Sequence, residues 1–363
     1  MKKEQRYGKI SFWKFMFCLL ITALHVGELY PESPWIFKAG SIGVEFFFLV
    51  SGYFFAKKFI YYKNSKNLGE ETFEFLKSKI LKFFPYILIL ILVACPFCFI
   101  AYHYTLTDYT RAFYRLFAIP NYFKGNIEYE IFGINWYLMV LIITESILVP
   151  FLIKYKKNFV YIVSPIITIL IANYLVINYD HLVGPWISTP FGIKGLLRGF
   201  MLINLGMYLY VLSEKFNSIK YTKFSKIILL IIELLGYLSV FYLVNIPKAH
   251  QKFDILIVII FSICIVISTN KDLLLTKFSN NKIFYYLEKL SLPMYIYQWL
   301  IIDIMKELLI KLRITISYPL MLLLCVLANI FFGIITIEMV KLYNKLKIIL
   351  YKRSIYIYIC FFY

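Results

Sequence analysis

The sequence predicts an all-α integral membrane protein, a bundle of about ten transmembrane helices with both termini in the cytoplasm. The chain has 363 residues, of which 61% are hydrophobic and only 16% are charged, and its mean hydropathy is +0.74. Water-soluble globular proteins are closer to half apolar and a quarter charged. An aromatic content of 20% also excludes a disordered chain, because such chains are poor in aromatic residues.

Ten apolar runs follow one another with short connections, and most are about as long as a helix that crosses a bilayer. The first run follows a basic stretch but has no small-residue cleavage site after it, so we expect it to be a retained span and not a signal peptide. The eighth run is the shortest. In order, the predicted spans are 12–29, 41–60, 80–102, 131–153, 158–177, 193–212, 226–244, 254–268, 283–305 and 317–340.

The charge distribution predicts the orientation. With the N-terminus inside, the segments on the inner side carry most of the lysine and arginine residues, as the positive-inside rule requires. We therefore divide the chain into a basic cytoplasmic N-terminus (1–11), a transmembrane domain (12–345) and a basic, aromatic C-terminal tail (346–363). The formal net charge of +19 has the same origin, so nucleic acid is not an expected partner.

The six cysteines lie in or beside apolar runs. Cys95 and Cys98 have the spacing of a redox pair, but no His or Cys lies near them at metal-site spacing. We expect these side chains to be packing residues, with neither a metal site nor a disulfide framework.

Several ionisable side chains lie within the predicted spans, where each costs roughly a few kcal/mol unless it is paired or hydrated. Structural pairing would explain any single one of them, but the group predicts a polar interior. The residues are His25, Glu45, Glu145, Arg198, Glu233 and Glu338.

The first two spans carry a candidate general base. Lys14 and His25 are eleven residues apart, so they share a helix face and stand ~16 Å apart along the axis. Glu28 follows at the third position after His25, and Glu45 is expected about one turn below the outer surface, at the depth of His25. An imidazole oriented by a carboxylate suits general-base catalysis. We predict His25 as the base and Glu28 or Glu45 as its orienting partner.

Motifs along nearly the whole chain occur in an order that resembles the integral-membrane acyltransferase 3 family, which modifies bacterial surface carbohydrates. Lysine stands at three positions where the family prefers arginine, and Gln298 stands where it often has histidine. The motifs are Lys14-x10-His25, Gly43-Val44-x-x-Phe47 with Ser51-Gly52-Tyr53, Lys79-x-x-Lys82-x-x-Pro85, Trp136-Tyr137-Leu138, Arg198-Gly199-Phe200 with Leu205-Gly206-Met207, and Ser291 through Gln298.

The resemblance implies an acyltransferase of the bacterial plasma membrane that transfers groups other than aminoacyl groups. Its donor would be cytoplasmic acyl-CoA, most often acetyl-CoA, and its acceptor a hydroxyl of a surface polysaccharide or lipid-linked glycan. Lys14, Lys79 and Lys82 would bind the CoA phosphates, and Trp136, Arg198 and Tyr295 would contact substrate. Outer loops near 103–130 and 174–194, with Tyr102, Tyr104, Tyr109 and Trp186, would shape the acceptor site.

Two alternatives stay open at this point. Some members of the superfamily are associated with polysaccharide export, and a polar bundle would also suit a transporter. A catalytically degenerate member is the other alternative, because lysine and glutamine replace arginine and histidine in the motifs.

Overall fold

A computed structural model describes residues 7–31, 36–63, 67–116, 135–246 and 252–362. The protein is 82% helical. One short antiparallel hairpin, β1 (Ser188–Thr189) with β2 (Gly192–Ile193), precedes the seventh helix. The helices are α1 (Gly8–Gly27), α2 (Gly43–Phe59), α3 (Leu68–Tyr102), α4 (Leu106–Leu116), α5 (Trp136–Asn158), α6 (Ser164–Tyr179), α7 (Lys194–Asn217), α8 (Lys223–Leu243), α9 (Asp254–Ser268), α10 (Thr276–Ser279), α11 (Lys282–Leu312) and α12 (Tyr318–Phe362).

The predicted class of all-α membrane protein is confirmed. Within the described residues, six helical segments are long and apolar enough to cross a membrane, and one of them combines α5, a π-helical turn (Phe159–Val163) and α6. The helices α2 and α9 are shorter than a usual span, and α11 carries charged residues at both ends. The count of ten spans and the cytoplasmic position of the termini stay predictions.

Helix boundaries differ from the apolar runs where polar sequence continues a helix. The helix α3 begins twelve residues before the run 80–102, because Asn67 caps it by accepting a hydrogen bond from Glu70 N at 2.9 Å. The helix α12 continues through the predicted tail to Phe362. Hydropathy detects the part of a helix suited to lipid and misses its polar extension. Residues 117–134, which include much of the expected outer loop near 103–130, lie outside the described residues.

Glycines bring α2 and α7 into close contact. A Cβ atom at Gly52 would lie 2.2 Å from Ile203 O, and one at Gly206 would lie 2.1 Å from Leu49 O. Both glycines belong to the motifs noted in the sequence, and small residues allow backbones in a membrane bundle to approach closely. The helix α1 packs mainly on α11, which also contacts α12 and α3.

Two ends of the bundle are useful references. We call the end that holds Lys14, Lys79 and Lys82 the lysine end, and the opposite end, where α1 finishes beyond His25, the histidine end. The helices α1, α3 and α11 run from the lysine end to the histidine end, whereas α2, α5 and α7 run back.

Candidate active site

The interface of α1 and α11 is a polar seam between the two ends of the bundle. Lys14 Nζ lies 2.6 Å from Glu288 Oε1, and Cys18 Sγ donates to Ser291 O at 3.5 Å. Further along, Thr22 Oγ1 lies 3.0 Å from Gln298 Oε1, and the His25 and Trp299 ring centroids are 4.6 Å apart. Residues spaced by three or four positions share a helix face, so one face of α1 connects Lys14 with His25.

At the histidine end, Glu28 holds the imidazole of His25. Glu28 Oε2 lies 3.0 Å from His25 Nδ1, and the side chains are 46% and 16% exposed, respectively. Because a carboxylate only accepts hydrogen bonds, this contact places the proton on Nδ1 and leaves the Nε2 lone pair available. The tilted Trp299 ring packs against the imidazole. A neutral imidazole with a free Nε2 can accept a proton from a substrate.

The structure places Glu45 apart from His25, so the expected common depth is wrong. The neighbouring Phe46 ring packs 4.7 Å from Phe17, which is eight residues and ~12 Å along α1 from His25. The carboxylate of Glu45 forms a buried ion pair with Arg198. Glu28, not Glu45, is thus the predicted partner that contacts His25.

The chain between α1 and α2 explains this difference. Phe37 N donates to Asn245 Oδ1 at 2.8 Å, and Ala39 N donates to Val244 O at 3.0 Å. These bonds tie the connection to the end of α8. The 3₁₀ turn Gly40–Ile42 therefore begins inside the bundle, and α2 starts deeper than a simple hairpin at the membrane surface would place it.

The three predicted donor-binding lysines come together at the lysine end. Lys79 Nζ lies 2.5 Å from Glu145 Oε2, which is buried on α5, and Lys14 pairs with Glu288 of α11. Lys82 is within electrostatic range of all four of these groups. Lys82 is exposed as a residue, and its ammonium makes no ion pair within the described part of the chain. We call these five residues the lysine cluster.

Sequence reasoning missed the acidic half of this cluster. The sequence indicated that Glu145 is an ionisable residue within a span. Its partner Lys79 is 66 positions away in the chain, so no local pattern linked the two. Glu288 lies in the charged first turns of α11. In the sequence, the only sign of its importance is that it precedes the motif residue Gln298 by ten positions. Ser11 Oγ also donates to Glu288 Oε2 at 2.6 Å.

The predicted substrate-contacting residues meet in the interior between α2, α5, α7 and α11. The Arg198 guanidinium carbon lies 5.6 Å from the Trp136 ring centroid, and Arg198 NH2 donates to Ser41 O at 3.4 Å. The Tyr295 ring lies 5.5 Å from that of Tyr137, and Tyr295 is within electrostatic range of Arg198. Aromatic and cationic groups in one enclosed region can bind a polar substrate.

The aromatics expected at the acceptor side divide into two groups. Tyr102, Tyr104 and Tyr109 form contacting rings where α3 ends and α4 begins, and Tyr109 Oη donates to Cys95 O at 2.6 Å. Trp186 lies on the separate segment before β1. Residues 117–130 of the expected loop lie outside the described residues, so only its first part can be located.

Lys194 fixes the segment between α6 and α7. Its buried ammonium donates to Val183 O at 2.7 Å and lies 3.4 Å from His181 Nδ1. Asp254 Oδ2 accepts a hydrogen bond from Leu182 N at 2.5 Å. Burial and the neighbouring Lys194 ammonium lower the pKa of His181, so this imidazole is neutral at pH 7.

Comparison with known protein families matches residues 7–338 to the acyltransferase domain of the acyltransferase 3 family. The chain belongs to the acyltransferase 3 family. The matched region contains every site residue described above, from Lys14 to Trp299. No curated protein and no solved structure matches the chain. The resemblance based on the motifs is confirmed, and this acyltransferase 3 protein is a multi-pass membrane acyltransferase.

Proposed function

We propose that this acyltransferase 3 protein is an O-acyltransferase of the bacterial plasma membrane. It takes an acyl group, most often acetyl, from cytoplasmic acyl-CoA and transfers it to a hydroxyl of a cell-surface carbohydrate. The observation that carries the proposal is the polar seam of α1 and α11, with a cluster of lysines at one end and the His25–Glu28 pair at the other.

The lysine cluster supplies the charge that the donor needs. The phosphates of CoA are anionic, and their binding by Lys14, Lys79 and Lys82 needs no movement of charge into the bilayer core. Each ammonium has three N–H donors, so Lys14 and Lys79 can contact a phosphate oxygen while they keep Glu288 and Glu145 as partners. Lys82 has no carboxylate partner among the described residues, so its ammonium can bind a donor phosphate without competing with an ion pair.

The donor reaches His25 through its uncharged arm. The rise of α1 between Lys14 and His25 is ~16 Å, a span that extended pantetheine can cover. Phosphates would pay a large desolvation cost in this region, whereas the amides and methylenes of pantetheine can follow the seam. The thioester then lies beside His25, and the acceptor approaches from the histidine end.

The chemistry requires one base and one charge-stabilising group. His25 Nε2 removes the proton of the acceptor hydroxyl, and the hydroxyl oxygen bonds to the thioester carbonyl carbon while the C=O electron pair moves to the carbonyl oxygen. Collapse of the tetrahedral intermediate re-forms C=O and breaks the C–S bond. The departing CoA sulfur takes the proton from His25. Glu28 stabilises the transient imidazolium and keeps Nε2 directed at the substrate.

The acceptor side is built from the interior residues next to this path. Trp136, Arg198 and the contacting rings of Tyr137 and Tyr295 offer aromatic faces and hydrogen-bond donors to a sugar. The tyrosines at the junction of α3 and α4 extend the aromatic surface at the histidine end. Sugar rings bind through such mixtures of aromatic faces and polar groups.

A matched pair of histidine variants tests the proposal. In nanodiscs with labelled acetyl-CoA and a glycan acceptor, His25→Asn should lower kcat by ~10²–10⁴ because it removes the general base. The KM for acyl-CoA should stay unchanged, because the lysine cluster is distant. His103→Asn alters an exposed histidine beside the acceptor-side tyrosines, and it should leave kcat at saturating acceptor unchanged, because no chemical step is assigned to it. Full transfer by His25→Asn contradicts the assignment, and a wild-type protein that moves glycan without consuming acyl-CoA favours an exporter.

A further inference from the structure

Gln298 presents an unsatisfied hydrogen-bond donor inside the bundle. Its side chain is completely buried, and its Oε1 lies 3.0 Å from Thr22 Oγ1. Within the described residues, its Nε2 has no hydrogen-bond partner. A buried donor left without an acceptor costs about 1–3 kcal/mol, so a group aimed at a missing partner indicates a ligand position.

The Gln298 amide lies close to His25. Thr22, which contacts the amide, precedes His25 by three residues on the same face of α1. Trp299, the residue that follows Gln298, packs on the His25 ring. The amide therefore lies about one helical turn from the imidazole, on the side nearer the lysine end.

The inference rests on the proposed function. Under that function the acyl-CoA donor approaches His25 from the lysine end, which is the side on which the Gln298 amide lies. A thioester that reaches His25 along the seam passes Gln298 last, so its carbonyl group comes to lie between the amide and the imidazole. Attack by the acceptor oxygen places a negative charge on that carbonyl oxygen.

We propose that Gln298 Nε2 is the oxyanion donor of this enzyme. Its N–H binds the thioester carbonyl oxygen in the ground state and donates a stronger, charge-assisted hydrogen bond to the oxyanion of the tetrahedral intermediate. The amide gives up no proton in any step, so the proton cycle between acceptor hydroxyl, His25 and CoA sulfur stays balanced. The Thr22 hydroxyl lies within hydrogen-bond distance of both Cys18 O and Gln298 Oε1. In this proposal its single proton is donated to Gln298 Oε1, which directs the N–H end of the amide towards the substrate.

A neighbouring amide provides a matched control. Asn329 of α12 is also completely buried against α11, and its Nδ2 donates to Met294 O at 3.1 Å. Its donor is thus already used within the protein. Its Oδ1 has no hydrogen-bond partner among the described residues, but a carbonyl oxygen accepts hydrogen bonds and cannot stabilise an oxyanion. Loss of this amide should therefore alter the contact of α12 with α11 without removing a donor from the path between Gln298 and His25.

The test compares steady-state kinetics of purified variants in nanodiscs. Gln298→Met, close in shape but without the amide, should lower kcat by ~10²–10³, the usual effect of removing one oxyanion donor, with little change in the KM for acyl-CoA. Gln298→Glu should lower kcat at least as far, because a carboxylate oxygen accepts hydrogen bonds and repels the oxyanion. Asn329→Leu should keep the wild-type kcat.

Three results would overturn the inference: wild-type kcat in Gln298→Met, an equal fall in Asn329→Leu, or wild-type kcat in Gln298→Glu, which would show that the free end of the amide is its carbonyl. If Gln298→Met does not fold, Gln298→Asn withdraws the N–H by one methylene and carries the same expectation. Failure of the proposed function gives a different result, because the wild-type protein itself would then show no acyl-CoA turnover. Failure of the Gln298 proposal leaves wild-type turnover intact.

Discussion

Breaking the Glu45–Arg198 ion pair from one side should destabilise the protein strongly. Both side chains are almost completely buried, at 0% and 1% exposure. Removal of one partner leaves the other charge without compensation, and such changes in buried pairs cost about 3–5 kcal/mol. We therefore expect Glu45→Met and Arg198→Met each to lower the free energy of unfolding by about that amount.

The double variant should recover most of this loss. Replacement of both charges by apolar side chains removes the desolvation cost together with the attraction, and the net change in comparable proteins is close to zero or favourable. The exposed pair Glu338–Lys341, with N and O atoms 2.6 Å apart and side chains 59% and 56% exposed, supplies the control. From the sequence, Glu338 is expected in the polar interior, but the structure places it on the outer surface of α12, at the lysine-end limit of the predicted span 317–340. Because this pair is not enclosed by protein, Glu338→Gln should change stability much less than Glu45→Met or Arg198→Met.

Unfolding in mixed detergent micelles, followed by tryptophan fluorescence, measures these differences in a double-mutant cycle. We expect the double variant to lose far less stability than the sum of the losses of the two single variants, which indicates a large favourable interaction between Glu45 and Arg198. If the losses of the two single variants simply add in the double variant, the two groups do not act as a pair. In that case the Glu45–Arg198 contact does not account for the buried charge of Glu45 in the interior, and Glu45 would again be a candidate partner of His25.

Two further predictions concern the ends of the bundle. Single lysine-to-glutamine variants of the lysine cluster should raise the KM for acyl-CoA. The effect should be largest for Lys82→Gln, because its ammonium has no carboxylate partner among the described residues, and lysine-to-arginine variants should be tolerated. An unchanged KM in all three glutamine variants would place the nucleotide elsewhere. The lowered pKa of His181 means that the opened segment takes up a proton more readily than the closed one as pH falls below about 6.5. The protection factors of residues 180–193, which are exchange rates corrected for the intrinsic pH dependence of amide exchange, should therefore decrease at lower pH. His181→Gln should remove this decrease, and an identical decrease in His181→Gln would refute the assignment.

Local features of the site were predictable from the sequence, and long-range ones were not. The His25–Glu28 contact follows from helical spacing, and the apolar run 254–268 has the same bounds as α9. The lysines could be grouped only because the motif order suggested their relation. Their carboxylate partners come from helices far away in the chain, and no local pattern links Lys14 to Glu288.

The depth of Glu45 shows the same limit. Counting residues from the end of α1 assumed a short hairpin, but hydrogen bonds to the end of α8 lead the chain into the bundle before α2 begins. The free amide of Gln298 was hidden for a related reason. Its unsatisfied N–H becomes apparent only when Thr22 is seen to hold the opposite end of the amide.

Sidedness is the most direct test of the central claim, which is that the seam carries an acyl group from the lysine end to His25 at the other end. The measurement uses sealed vesicles with the protein in one orientation, labelled acyl-CoA on the lysine side and the glycan acceptor confined to the histidine side. The account predicts label on the acceptor across the intact membrane, and no label with His25→Asn. Labelling only when donor and acceptor share one side would contradict it.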